Sequence, residues 1–282
     1  MKIPCRISDE ASPRVLFSAF GDVSTSVGQG VFDDRKDAVE LNDGTRIASY
    51  FKSRLGFPHF KPQDKSVFRH PPTGWISWMY YGRDVTPEEV LVNARWISEN
   101  LREYGLEFVV LDDGWQADGR NWEGLRETFP QGMKWLADEI RKLGLVPGIW
   151  ICPHGQDNEA FIRKTGGFAR INTFGGPFTV DPTDPRGLAY VRGLIRRLTR
   201  EWGYGYLKFD GISDKSGYGV LAGYKENRKL LGDKSVSPED AYRRFFGAIR
   251  DEAGRKTFID ACSVGVCPEM IGLCDGMRTG AE

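Results

Sequence analysis

The chain has 282 residues, 40% of them hydrophobic and 28% charged, which is enough apolar material for one large domain or one domain with an appendage. Lys+Arg and Asp+Glu both number 39, so the formal charge is zero and the basic excess that suits nucleic acid or an anionic membrane surface is absent. No apolar run approaches the ~20 residues that span a bilayer. The opening MKIPCRISDEASPR lacks an apolar signal-peptide core, so a cytoplasmic protein without membrane or nucleic-acid partners is expected.

Residues 1–70 contain short candidate strands, VLFSAF, GVFDD, TRIASYF and SVFRH, punctuated by Gly, Asp and Pro. They predict a β-rich or irregular N-terminal segment, with GFPHFKPQDKSVFRHPP at 56–72 as a linker. From residue 71 to 282 the texture changes to strands alternating with amphipathic helices. GWISWMYY (74–81) reads as the first strand. A helix opens at Thr86-Pro87, where Glu89 completes a capping box, and Gly105 stops it. LEFVVLDD (106–113) is the second strand, followed by a helix through Met133, Leu136 and Ile140 that ends at Gly144. LVPGIWIC (145–152) is the third, and the next helix runs from Asp184-Pro185 to Gly203. YGYLKFD (204–210) is the fourth, with a helix from Ser237-Pro238 to Gly254. KTFIDACS (256–263) and the weaker CDGMRTGAE (274–282) complete the set.

Near-continuous apolar strands covered by helices are parallel. No G-x-G-x-x-G or Walker A loop follows any of them, so a nucleotide fold has no support. Polar residues gather at the strand ends: Trp78, Asp112, Asp113, Trp150, Lys208, Asp210, Cys262 and Arg278. In a (β/α)8 barrel those ends share one face, where active sites lie. The fold class expected is therefore α/β, a TIM-type barrel over 71–282. Only six strands can be counted against the eight of a closed barrel, so an incomplete barrel and a fragment of a longer protein are expected; closure by residues 1–70 is the alternative.

The five cysteines, at 5, 152, 262, 267 and 274, form no CxxC pair and predict free thiols. Histidines 59, 70 and 154 are scattered, so no metal centre is expected, and no G-x-S-x-G elbow occurs. The stretch 211–236 is long for a βα loop and predicts part of a substrate lid, with Tyr218 or Tyr224 on the aglycone side. His154, just past the third strand, reads by default as a loop histidine without function. The arginines at 192, 196, 197 and 200 read as a solvated helix face.

Six blocks in order carry a family resemblance: PPTGWISW, LDDGW, PGIWICP, YLKFDG, DACSVG and MRTGAE, with a DPTDP turn at 181–185. From about residue 71 to 282 the chain resembles the α-galactosidase clan, glycoside hydrolase families 27 and 36 and their relatives. The resemblance implies that Asp210 is the catalytic nucleophile and Glu282, four after Arg278, the general acid/base. It further implies that Asp112 and Asp113 grip sugar hydroxyls, and that Trp78, Trp150, Lys208, Cys262 and Arg278 line the pocket. The acid position holds Glu where these families usually show Asp, one methylene longer.

The chemistry fits these residue types. Glycoside cleavage passes through an oxocarbenium-like state between two carboxyl groups, ~5–5.5 Å apart for retention and ~6.5–9.5 Å for inversion. One attacks C1 and must be ionised, which the Lys208 ammonium two residues earlier favours. The other donates a proton and needs a drier setting. The Asp112-Asp113 pair has a competing reading as turn or N-cap aspartates. A retaining α-glycosidase, α-galactosidase-like, with a carbohydrate partner and no metal or organic cofactor, is the function expected. The alternatives are a catalytically silent sugar-binding fragment, or an α-glucosidase or transglycosylase on the same scaffold.

Overall fold

A computed structural model of the chain describes residues 2–8, 15–16, 26–33, 36–53, 56–61, 66–117, 119–262 and 267–278, with side chains from residue 30 onward. The chain divides into two compact units, residues 1–64 and 65–282.

The first unit is an antiparallel sheet of strands Lys2–Ser8, Val15–Leu16, Ser26–Asp33, Ala38–Leu41 and Arg46–Ala48, with the second strand on one edge, next to the first. Its small core joins Phe32, Val39 and Tyr50, with Phe51 and Phe60 stacked at 4.2 Å beside them. TRIASYF does not run on as one strand. After Ala48 the backbone turns through Ser49 into a helical turn, Tyr50–Ser53, because Asp37 captures the next two amides, Tyr50 N–H on its carbonyl and Phe51 N–H on its carboxylate. SVFRH forms a turn and an irregular stretch, and belongs to the second unit.

The second unit is built on six parallel strands: β1 (Gly74–Ile76), β2 (Phe108–Leu111), β3 (Val146–Ile151), β4 (Tyr206–Phe209), β5 (Phe258–Cys262) and β6 (Gly276–Arg278). They pair strictly in sequence order, each with its predecessor and successor, as consecutive units of a TIM-type barrel do. The helices α1 (Pro87–Asn100), α2 (Met133–Lys142), α3 (Pro185–Arg196) and α4 (Pro238–Ala253) follow the first, second, third and fourth strands.

Their boundaries have local causes. Thr86 Oγ1 accepts the Glu89 amide at 3.3 Å while the Glu89 carboxylate accepts the Thr86 amide at 2.8 Å, the reciprocal capping box read from the sequence. Asp184 and Ser237 cap α3 and α4 in the same sense, each followed by proline. Val90, Ala94 and Ile97 of α1, Leu136 and Ile140 of α2, and Tyr242, Phe245 and Ile249 of α4 are buried against the outer face of the sheet.

Three features depart from expectation. The first strand stops at Ile76 and Trp78–Tyr81 is a helical turn, because buried Ser77 turns the backbone and its hydroxyl accepts the Asp112 amide at 2.9 Å. The β2–α2 connection contains a hairpin of Gln116–Ala117 with Asn121–Leu125, and the β3–α3 connection a three-stranded antiparallel patch of Gly155–Gln156, Phe178–Val180 and Phe168–Ala169. Helix Val220–Glu226 lies in the 211–236 stretch read as a loop, and helix Glu159–Thr165 in the β3–α3 connection. Among the described residues no helix is long and apolar enough to cross a membrane.

Candidate active site

Strand parity assembles the site. Successive side chains of a strand point to opposite faces, and the register sets Trp150 beside Lys208, Lys208 beside Asp260, and Cys262 beside Arg278. Odd positions Val109, Leu111, Ile149, Leu207 and Ile259 enter the helix-covered core. Even positions Phe108, Val110, Tyr206 and Phe258 form the inner, basal cluster. One step further along each strand, that inner face becomes polar: Asp112, Trp150, Lys208 and Asp210, Asp260 and Cys262, Arg278. Gly148 belongs to the basal row, paired with Val110 and Tyr206, where a Cβ would meet Val110 Cγ2 at 2.8 Å.

Lys208, 1% exposed, donates from Nζ to Asp112 Oδ2 at 2.9 Å, across the strand that lies between them. The lysine predicted as the electrostatic neighbour of Asp210 thus has its ion pair with Asp112. Asp210 follows the last residue of β4 and accepts from the Tyr218 hydroxyl at 2.9 Å, from the Gly211 amide at 2.7 Å and, at 3.4 Å, from Trp150 Nε1. Gly211 has φ 68°, and a Cβ there would also press on the His154 ring. Burial, then the Asp210 charge and hydrogen bond, hold the Tyr218 phenol above its ordinary range, so it remains a donor.

Asp113, the odd member of the pair, is turned elsewhere. Its Oδ2 accepts from Arg120 at 2.9 Å, and its Oδ1 accepts from Gln116 Nε2 at 2.6 Å and lies 3.4 Å from Arg83 Nε. The Arg120 guanidinium stacks 4.9 Å from the Trp150 ring centre and 4.8 Å from that of Phe174. Phe174 in turn stacks on Tyr218 at 4.7 Å. The Cys152 thiol is fully buried, and burial pushes its pKa well up. Behind them Trp202, Trp115, Trp122 and Trp150 follow ring to ring at 5.8, 5.8 and 6.0 Å.

His154 is fully buried and neither ring nitrogen has a hydrogen-bond partner. Burial first, and the Arg120 charge second, lower its pKa from 6.5 to about 3. The unfolded chain therefore binds a proton below pH 6.5 that the folded chain refuses until about 3. The stability contributed by the neutral ring is complete above 6.5 and is lost as pH falls through that window. Urea denaturation between pH 6.5 and 4 is expected to show a slope of about 1.4 kcal/mol per pH unit that His154→Phe removes. An unchanged slope in the variant would rule out His154 as its source.

No family model matches the chain. Over 160 residues it is 28% identical to a probable α-galactosidase B of Neosartorya fischeri, an alignment covering 54% of this chain and 30% of that one. Among solved structures, the α-galactosidase TtGalA of Thermus thermophilus in complex with p-nitrophenyl α-D-galactopyranoside aligns at TM-score 0.55 and 24% identity, over 74% of this chain and 41% of that one. A family 27 β-L-arabinopyranosidase of Geobacillus stearothermophilus aligns at TM-score 0.53 and 27% identity, over 68% and 48%. The chain is thus similar in sequence and in fold to α-galactosidases. It spans about a third of the length of the curated clan members it matches.

Within this scaffold, Asp112, Trp150, Lys208 and Asp210 are tied together by the contacts and register above. Cys262 and Arg278 form a second group, Arg278 donating to the Cys262 sulfur at 3.9 Å. Trp78 is half-buried on its helical turn, with no ring contact to the others recorded among the described residues. Glu282 lies outside the described residues. Sequence reasoning missed Arg120, Gln116 and Cys152. Of these only Cys152 carried a legible signal, two residues past Trp150 on the same strand face.

Proposed function

We propose that this chain carries the active site of a retaining glycoside hydrolase acting on α-glycosides, α-galactosides foremost. The observation supporting this most directly is Asp210: a carboxylate at the end of β4, oriented by Tyr218 and Trp150, on the same concave face as the Asp112–Lys208 pair. In this reading the ionised Asp210 attacks C1 of the sugar, forming a C–O ester bond as the glycosidic C–O bond breaks. Glu282 gives its proton to the departing oxygen, then takes one from water, which attacks C1 and returns Asp210 as carboxylate. The buried Asp112–Lys208 pair presents an acceptor and a donor to sugar hydroxyls, Trp150 and Trp78 offer faces to the pyranose ring, and Cys262 and Arg278 close the far side.

A mechanism-based 2-fluoroglycosyl inhibitor followed by peptide mapping tests the reading. Label on Asp210 is expected, and label on any other residue overturns it. Comparing aryl α-galactoside, α-glucoside and N-acetyl-α-galactosaminide substrates names the sugar.

Tyr218 has a part in this mechanism. Its hydroxyl fixes Asp210 Oδ1, leaving Oδ2 as the attacking oxygen. Tyr218→Phe is expected to lower kcat about tenfold with KM little changed, the cost of one hydrogen bond to a charged group. A fall confined to KM would assign Tyr218 to substrate binding instead.

A further inference from the structure

We infer that Arg120 is a substrate-contacting specificity residue, and that Asp113 acts through it as a positioning residue; the assignment rests on the glycosidase reading above. Both oxygens of Asp113 already accept from protein donors, Oδ2 from Arg120 and Oδ1 from Gln116, with Arg83 3.4 Å away, so its carboxylate is committed within the protein. Arg120 is in the opposite position. A guanidinium has five N–H donors in a fixed fork. Among the described residues the Asp113 carboxylate is the one acceptor that this fork meets. Its side chain keeps 17% exposure. The Trp150 and Phe174 rings, perpendicular to each other, both lie against the guanidinium, and both contact the Asp210 shell, Trp150 directly and Phe174 through Tyr218.

The backbone under Arg120 is fixed as well. Its amide donates to Asp157 Oδ2 at 2.7 Å. At Gly119, with φ 71°, a Cβ would collide with the same carboxylate, so the turn admits no side chain there. A donor tied down at its backbone amide and by the Asp113 carboxylate, with two aromatic rings against its guanidinium, is preorganised, so its remaining N–H groups cost little to orient.

Charge decides what it takes. Arg83 and Arg120 meet Asp113, Asp157 lies against the Arg120 amide, and Asp210 touches the same Trp150 ring, so the corner has no positive excess. A corner without positive excess favours neutral hydroxyl oxygens of the glycone over a sugar carboxylate. The geometry therefore gives Arg120 the glycone hydroxyl selection that a free Asp113 would otherwise make.

The test compares wild type, Arg120→Met, Arg120→Lys and Asp113→Asn on p-nitrophenyl α-galactoside, its monodeoxy analogues and p-nitrophenyl α-galacturonide. Arg120→Met is expected to lower kcat/KM on the parent about 10- to 100-fold. On the analogue lacking the contacted hydroxyl, wild type and variant should coincide. Asp113→Asn should show the same hydroxyl dependence, and Arg120→Lys, which keeps charge without the fork, should not rescue it. An equal penalty on every analogue overturns the assignment, as does a penalty found only on the galacturonide. Quenching of tryptophan fluorescence by galactose and monodeoxygalactoses, compared between wild type and Arg120→Met, gives a readout independent of turnover. Hydroxyl-dependent binding without turnover overturns the hydrolase reading and leaves Arg120 assigned. Wild-type chain that neither binds nor cleaves overturns both.

Discussion

Asp210→Asn is expected to lower turnover of an aryl α-galactoside by on the order of 10³-fold or more, while galactose binding changes little. The amide oxygen can still accept the Tyr218 hydroxyl and the Gly211 amide, so the strand end keeps its shape. What is lost is the negative charge that forms the ester with C1. Asp210→Ala sharpens the test, because it opens space where the carboxylate stood. Azide added to that variant should attack C1 from the vacated side, form a C–N bond as aryloxide departs, and give a β-glycosyl azide. Product configuration is read by proton NMR. An α-configured azide, or near wild-type turnover in Asp210→Asn, would remove Asp210 from the nucleophile's role.

The second large effect is on stability. Lys208 and Asp112 are 1% and 3% exposed at the side chain, so both charges were taken out of water to make their 2.9 Å contact. Breaking a buried pair from one side strands the other charge. Lys208→Met is expected to cost about 3–5 kcal/mol, read from urea denaturation. Adding Asp112→Asn should recover part of that loss, because the carboxylate no longer needs a counter-ion. A single-variant loss below about 1 kcal/mol would mean that the pair behaves as an exposed one.

Much of this was legible in the chain. Pro and Gly punctuation, with Thr86, Asp184 and Ser237 as caps, marked α1, α3 and α4. Continuous apolar strands ending in polar residues marked β2 to β5 and their common face. What escaped has physical reasons. GWISWMYY looks like a strand throughout, yet the turn at Ser77 depends on an amide 35 residues away, that of Asp112. The sequence neighbours Lys208 and Asp210 suggest each other, but the ammonium bonds to Asp112, 96 residues distant, because sheet register outranks sequence proximity. Parity also separates the adjacent Asp112 and Asp113, one joining Lys208 and the other Arg120. Arg120 lies in a polar hairpin, QADGRNWEGL, with no periodicity to signal that it folds back over Trp150.

The file of indoles from Trp202 to Trp150 has an optical consequence. Four of the eight tryptophans are near enough for excitation absorbed at one to hop between them, and the file ends at the ring touching both Arg120 and Asp210. Excitation is thus shared along a file that reaches from between sheet and helices to the cleft wall. The molecule carries its own antenna, and a sugar settling on Trp150 should dim or shift the emission of the whole array without any added dye.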